Sequence, residues 1–184
     1  MNPHTKAEDF GTLIEPTTLK IERMLPGPIE RVWSYLIDSD LRRQWFASGD
    51  MKMEPDAPFE LVWRNHELST KPGKRPEGIP EERRMQSCVI ACEPPHKLSF
   101  TWGEKADVSI ELQTRGERVL LTLVHRRIAD RAMALNVSAG WHSHLDLLVA
   151  VLNGTESQPF WDNWSSLKKE YNQYLPLNAE EQAL

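Results

Sequence analysis

Between Phe59 and His125 the chain alternates apolar and polar residues in short segments whose connections are too brief for parallel pairing. Phe59, Leu61 and Trp63 alternate with Glu60 and Val62. Met85–Cys92 follows and is stopped by Pro94-Pro95. Leu98, Phe100 and Trp102 then alternate with Lys97, Ser99 and Thr101, and Val108, Ile110 and Leu112 with Ser109, Glu111 and Gln113. After the turn at Arg115-Gly116-Glu117, Val119, Leu121 and Leu123 share a face that His125 joins. A period of two places each set on one side of a strand, and parallel neighbours need a crossover of about a dozen residues or more. The pattern predicts an antiparallel sheet with one face on the core and one in water.

Helical periods flank this region. Thr17–Leu25 predicts a first strand, broken by Pro26, Gly27 and Pro28. Pro28 suits a first helical turn, where its missing N–H is not needed. Ile29–Ile37 then places Ile29, Val32, Trp33, Leu36 and Ile37 on one side. Ser39 or Asp40 is a cap for a second short helix, Leu41–Phe46, ended by Gly49. Beyond the sheet, Trp141, Leu145, Leu148 and Leu152 form a helical stripe with Asn153-Gly154 as its stop. A further run begins near Ser157-Gln158-Pro159 and carries Phe160, Trp164, Leu167, Tyr171 and Tyr174. The expected organisation is a flexible arm over 1–16, a single domain over 17–175 and a polar tail over 176–184. Residues 64–83 are polar, with Pro72, Pro76, Pro80, Gly73 and Gly78. They predict either a disordered hairpin loop or a lid over a cavity.

A chain of 184 residues buries a core without disulfides or metal. The formal net charge of -5 argues against a nucleic-acid partner. The sequence lacks the apolar run that a membrane span requires. Met1–Glu15 is polar and lacks the apolar stretch of a signal peptide, so a cytoplasmic protein is expected. On a strand Cys88 and Cys92 would share a face about 13 Å apart, whereas a disulfide needs Cα atoms within about 7 Å. They are expected to be two reduced, largely buried thiols.

Seven tryptophans are the most informative compositional fact. Trp33, Trp45, Trp63, Trp102 and Trp141 fall on inward faces, either as core or as the lining of a cavity with an indole N–H as polar anchor. His142 and His144 point about 200° apart on a helix and do not share an ion. His142 and Asp146 share a side, but spacing supplies no third ligand, so no metal is expected. These histidines read as boundary residues, or His125 and His144 as polar contacts for a ligand. Glu60, Glu104, Asp107 and Glu111 fall on polar faces or turns, and Arg83-Arg84 and Arg126-Arg127 read as solvated strand ends. There is no G-x-S-x-G and no glycine-rich phosphate loop. No catalytic set and no cofactor are expected.

Four motifs carry a resemblance. Pro28-Ile29-Glu30-Arg31-Val32-Trp33, with Leu41 and Trp45-Phe46, looks like a first helix pair. Glu93-Pro94-Pro95-His96-Lys97-Leu98-Ser99-Phe100-Thr101-Trp102 looks like a PP-x-x-L-x-F-x-W hairpin. Gly140-Trp141 with Leu145, Leu148, Leu152 and Gly154, continued by Phe160-Trp161-Asp162-Asn163-Trp164, looks like a C-terminal helix signature. Together, over roughly residues 17–175, they resemble the START-like (SRPBCC) superfamily. Within it they resemble bacterial proteins named after the C-terminal domain of the activator of the heat-shock protein 90 ATPase. The resemblance implies an α+β helix-grip fold like that of the birch pollen allergen. In it a curved antiparallel sheet wraps a long C-terminal helix, with two short helices after the first strand. The eukaryotic activator carries an additional N-terminal domain, for which this length is expected to leave no room.

The expected function is a non-enzymatic, stress-related domain holding a small hydrophobic or amphipathic ligand between sheet and helix. The residues expected to line the site are Trp45, Leu61, Trp63, Phe100, Trp102, Leu121, Leu123, His125, Trp141, His144, Leu145 and Leu148. Two alternatives stay open. One is a co-chaperone-like module with a protein partner. The other is a cyclase- or dehydratase-like enzyme using His125.

Overall fold

The computed structural model describes residues 7–175. Its strands are β1 (Thr12–Glu15), β2 (Thr18–Pro26), β3 (Pro58–Trp63), β4 (Arg83–Glu93), β5 (Lys97–Trp102), β6 (Ala106–Arg115) and β7 (Arg118–Arg126). They form one antiparallel sheet in the order β1-β2-β7-β6-β5-β4-β3. The helices are α1 (Ile29–Ile37), α2 (Ser39–Arg42), α3 (Arg131–Asn153) and α4 (Phe160–Tyr174). The pair α1–α2 carries the chain from β2 to the far edge at β3, and the meander β3 to β7 returns it to pair with β2. The fold is the helix-grip type.

The period-two reading holds across the centre of the sheet. Val108 pairs with His125, Ile110 with Leu123 and Leu112 with Leu121. All six side chains are buried on the face that grips α3. Helix α3 starts where Asp130 accepts the Met133 N–H at 2.7 Å, and ends at Gly154, whose left-handed φ of 65° favours glycine. Arg31 of α1 donates to the Leu152 carbonyl at 2.9 Å, placing a cation at the negative end of α3. Trp141, Leu145, Leu148 and Leu152 are all buried. So are Leu135, Ser138, His142, Ser143 and Leu147, because α4 covers α3 away from the sheet.

Several expectations need correction. The arm expected over 1–16 is structured from residue 7: a short 3-10 turn spans Ala7–Asp9 and β1 follows. Phe10 anchors it, with ring centroids 5.0 Å from both His142 and Tyr171 and 4.8 Å from Tyr174. The Gly11 N–H also donates to the Tyr171 hydroxyl at 2.7 Å. Those partners lie far along the chain, so the local polarity hid them. Residues 1–6 and the expected tail 176–184 lie outside the described residues. The second helix is α2, capped by Asp38, which accepts from Asp40 and Leu41 N–H at 2.9 and 3.0 Å. Cys88 and Cys92 do not share a face. A register shift between Val89 and Ala91 inserts the exposed Ile90. Cys92 thereby pairs with inward Leu98, while Cys88 points opposite to inward Val89. Both thiols are free and half-buried.

The 64–83 loop packs Leu68 and Ile79 against the core and lines neither of the two pockets found among the described residues. It docks on the first turn of α4, whose N–H groups lack helical partners. Phe160 N–H donates to Ser69 Oγ at 3.1 Å and Trp161 N–H to the Pro72 carbonyl at 3.0 Å. Asp162 accepts the Lys74 N–H at 2.9 Å in return. Asp162→Ala is therefore expected to destabilise the fold by only about 1 kcal/mol while loosening the loop. Hydrogen exchange of amides 69–74 should quicken selectively; an unchanged loop would show that this contact does not hold it.

Candidate functional site

The concave face ends in an aromatic cluster at the β5–β6 hairpin. Trp102 of β5 lies 5.1 Å from the His125 ring of β7, 5.5 Å from Trp63 of β3 and 5.4 Å from Trp141 of α3. Phe46, from the turn after α2, fills the space between them. It stacks on Trp141 at 4.8 Å and meets Trp63 at 5.4 Å and His144 at 5.1 Å edge-on. Such ring pairs add about 0.5–1.5 kcal/mol each beyond their buried area. They close the interior at this end. What stays open is a mouth of about 310 Å³ with Trp102 and His125 at its inner end. Ala106, Ile128 and Met133 form its apolar wall, and Glu104, Lys105 and Arg127 its polar rim.

His125 sets the chemistry of this mouth. It continues the Val119, Leu121, Leu123 alternation inward and is fully buried. Trp141 Nε1–H donates to its Nδ1 at 3.1 Å, so Nδ1 carries no proton. Burial holds the imidazole down at a pKa of about 4, against the nearby Asp107 carboxylate, which pulls upward. At neutral pH the ring is therefore neutral with its proton on Nε2. No acceptor for that proton is found among the described residues.

The expected lining residues divide into groups. Trp102 and His125 line the mouth, with Trp63 and Trp141 directly behind them. Leu61, Phe100, Leu121, Leu123, Leu145 and Leu148 lie fully inside the continuous core. Trp45 and His144 are held to each other, His144 Nδ1–H donating to the Trp45 carbonyl at 2.8 Å, while the Trp45 indole donates to the Tyr35 carbonyl at 2.9 Å. His142 and His144 are both buried, on different sides of α3, and not at a boundary. His142 Nε2 is 3.7 Å from Asp146, and no group of three metal-ligating side chains gathers among the described residues. Asp107, expected on a polar face or turn, is buried and bound by Arg126 at 3.2 Å and Arg127 at 2.6 Å. Those arginines are thus not simply solvated strand ends. Sequence reasoning passed over Phe46 as a member of the aromatic cluster, although its tandem with Trp45 was the available signal.

A curved sheet gripping a helix, with an aromatic interior and a small opening beside it, defines a helix-grip domain. The chain belongs to the family described as activator of Hsp90 ATPase homolog 1-like protein, whose model matches residues 26–153. The protein encoded by gene BPP1335 from Bordetella parapertussis, solved by NMR, is 36% identical over 91% of each chain, with a TM-score of 0.76. CalU16 from Micromonospora echinospora is 21% identical over 85% of this chain and 86% of its own, with a TM-score of 0.62. DynU16, described as a putative protein in the dynemicin biosynthetic locus, is 19% identical over 80% of this chain and 51% of its own, also at 0.62. The last two share the fold. No curated protein matches the chain. No helix of the described residues is long and apolar enough to cross a membrane.

Proposed function

We propose that this protein is a non-enzymatic binding domain. Its mouth takes a small, mainly apolar molecule bearing one hydrogen-bond acceptor. The observation that carries the reading is the neutral His125 imidazole, held as the Nε2–H tautomer beside Trp102 in an opening with an apolar wall and a charged rim. Burial of apolar surface against Trp102, Ile128 and Met133 supplies affinity, and the His125 donor orients the ligand. Lys105 and Arg127 at the rim suit an amphipathic ligand whose polar end faces water. The family and the fold are compatible with ligand binding.

Titration with the fluorescent dye anilinonaphthalene sulfonate tests this reading. Saturable binding with quenching of tryptophan emission is expected. Met133→Glu places a charge on an exposed wall residue without touching the core, and is expected to weaken binding about tenfold or more. Dye affinity unchanged by Met133→Glu would sink the reading. A protein-facing role of the kind in the family's description would instead show as capture of a chaperone with no response at the mouth.

A further inference from the structure

The inner end of the mouth carries hydrogen-bond donors and no side-chain acceptor. His125 is only 1% exposed. Its Nδ1 is taken up by the Trp141 indole at 3.1 Å. Its Nε2 has no partner among the described residues, yet it is not one of the interior polar atoms sealed from solvent. What little of this ring stays accessible therefore includes Nε2, and the space it meets is the mouth. Trp102 stands beside it, its ring centroid 5.1 Å away at 59°. The Trp102 indole N–H likewise has no partner among the described residues and is not sealed. An indole only donates, and so does a neutral imidazole whose other nitrogen is engaged. His142 Nε2 and Ser143 Oγ make the contrast, since both are unpaired but closed off from solvent. A buried donor that is unpaired and still accessible asks for an acceptor in the space it faces.

Charge decides which acceptor this end takes. A buried carboxylate needs a cation close by. The charged group that acts on the His125 ring is instead another carboxylate, Asp107, next to Val108, the register partner of His125 in β6. Arg126 and Arg127 are engaged with Asp107 at 3.2 and 2.6 Å, and Arg127 also donates to the Lys105 carbonyl. The cation left for an anionic group is Lys105, exposed at the rim. An ammonium at the inner end would meet only donors. A hydroxyl would accept there, but its own proton would find no side-chain acceptor. A carbonyl oxygen has two lone pairs, no proton and no charge to desolvate.

Resting on the binding role of the mouth, we propose that its ligand is a neutral carbonyl compound, a ketone or an ester, whose oxygen accepts from His125 Nε2–H. The Trp102 indole supplies a second donor at the same end. The carbon skeleton lies on Ala106, Ile128 and Met133. An anionic group on the same molecule stays at the rim beside Lys105.

Four seven-carbon probes test this by NMR titration of the isotope-labelled full chain: 2-heptanone, 2-heptanol, heptanoate and heptylammonium. 2-Heptanone is expected to bind with a Kd of about 1 mM or tighter and to move the His125 Nε2–H and Trp102 indole resonances. 2-Heptanol should bind about threefold more weakly, and heptanoate about tenfold more weakly without moving the His125 signal. Heptylammonium should bind no better than heptanoate. His125→Phe keeps a ring but removes the donor; it is expected to weaken 2-heptanone about fivefold and to leave heptanoate within about twofold. The order of affinities in the unaltered protein decides the matter should this variant fail to fold. Heptanoate or 2-heptanol binding as tightly as 2-heptanone, with the same shift at His125, would overturn the carbonyl assignment while leaving the mouth a binding site. So would silence toward 2-heptanone in a protein that binds the dye. Absence of binding by all four probes and by the dye would instead remove the binding role itself, and the carbonyl assignment with it.

Discussion

Arg42→Met is expected to destabilise the protein by about 4 kcal/mol, whereas Arg43→Met beside it should change stability by no more than about 0.5 kcal/mol. Arg42 is 2% exposed at the end of α2. Its guanidinium donates to the Ala47 carbonyl at 3.1 Å, to Leu36 at 3.0 Å, to Ile37 at 3.1 Å and to the Gly49 carbonyl. Methionine keeps the volume but leaves these carbonyls without donors, at about 1–3 kcal/mol for each that stays buried. Burial lowers the Arg42 pKa to about 10, offset by Asp38 and Asp50, so the group is charged at pH 7. Lysine is expected to restore less than half of the loss, because an ammonium does not span acceptors spread around a planar fork. Arg43 offers the contrast, since its 3.3 Å pair with Asp40 is exposed. Urea unfolding at unchanged m-value reads the difference. Near-UV circular dichroism should also weaken, because the turn Arg42 holds carries Trp45 and Phe46 into the aromatic cluster. A loss under about 1 kcal/mol would mean that water replaces the guanidinium at those carbonyls.

The central strands were legible because their signal is local. Val108, Ile110 and Leu112 repeat every second residue, and so do Val119, Leu121, Leu123 and His125. His125 could be placed inward by counting alone. Its tautomer could not, since that depends on an indole from α3, which only the fold brings near. The faces of Cys88 and Cys92 were misread because one extra residue at Ile90 reverses the alternation without any glycine or proline to mark it. Arg42 was illegible for a related reason. Beside Arg43, it reads as a solvated pair, and its acceptors are backbone carbonyls that carry no residue identity. Arg23 also passed unread, although it alternates inward with Ile21 and Leu25. A charged residue at that register position is the sequence mark of a buried polar centre. Its partners Asp146 and Asn163 come from α3 and α4 and were not assignable to it.

Acidification from pH 7 toward pH 4 is expected to unfold the protein, driven by three histidines that fold as neutral rings. Burial lowers His125 and His144 to pKa values of about 4 and His142 to about 2. The Trp141 indole fixes the tautomer of His125 and the Trp45 carbonyl that of His144, while the Tyr171 hydroxyl holds the His142 ring in place. Arg23 adds to the depression at His142, while Asp107 and the Trp45 carbonyl oppose it at His125 and His144. In the unfolded chain a histidine takes up its proton near pH 6.5, whereas the folded rings do not until well below that. The unfolded state therefore binds more protons between about pH 6.5 and 4, and stability falls as pH falls through that window. The slope approaches about 1.4 kcal/mol per pH unit for each ring, so over two to three units three rings together remove roughly 8–13 kcal/mol, comparable with the usual 5–15 kcal/mol of a domain. Asp146 acts in the opposite sense, because its folded pKa is raised by burial and protonation favours the native state there. Urea unfolding at a series of pH values should give a slope near about 3 kcal/mol per unit around pH 5, reduced by about one third in His144→Gln. A native near-UV spectrum that persists to pH 3 would mean that the rings protonate in place, and that the interior around α3 admits water.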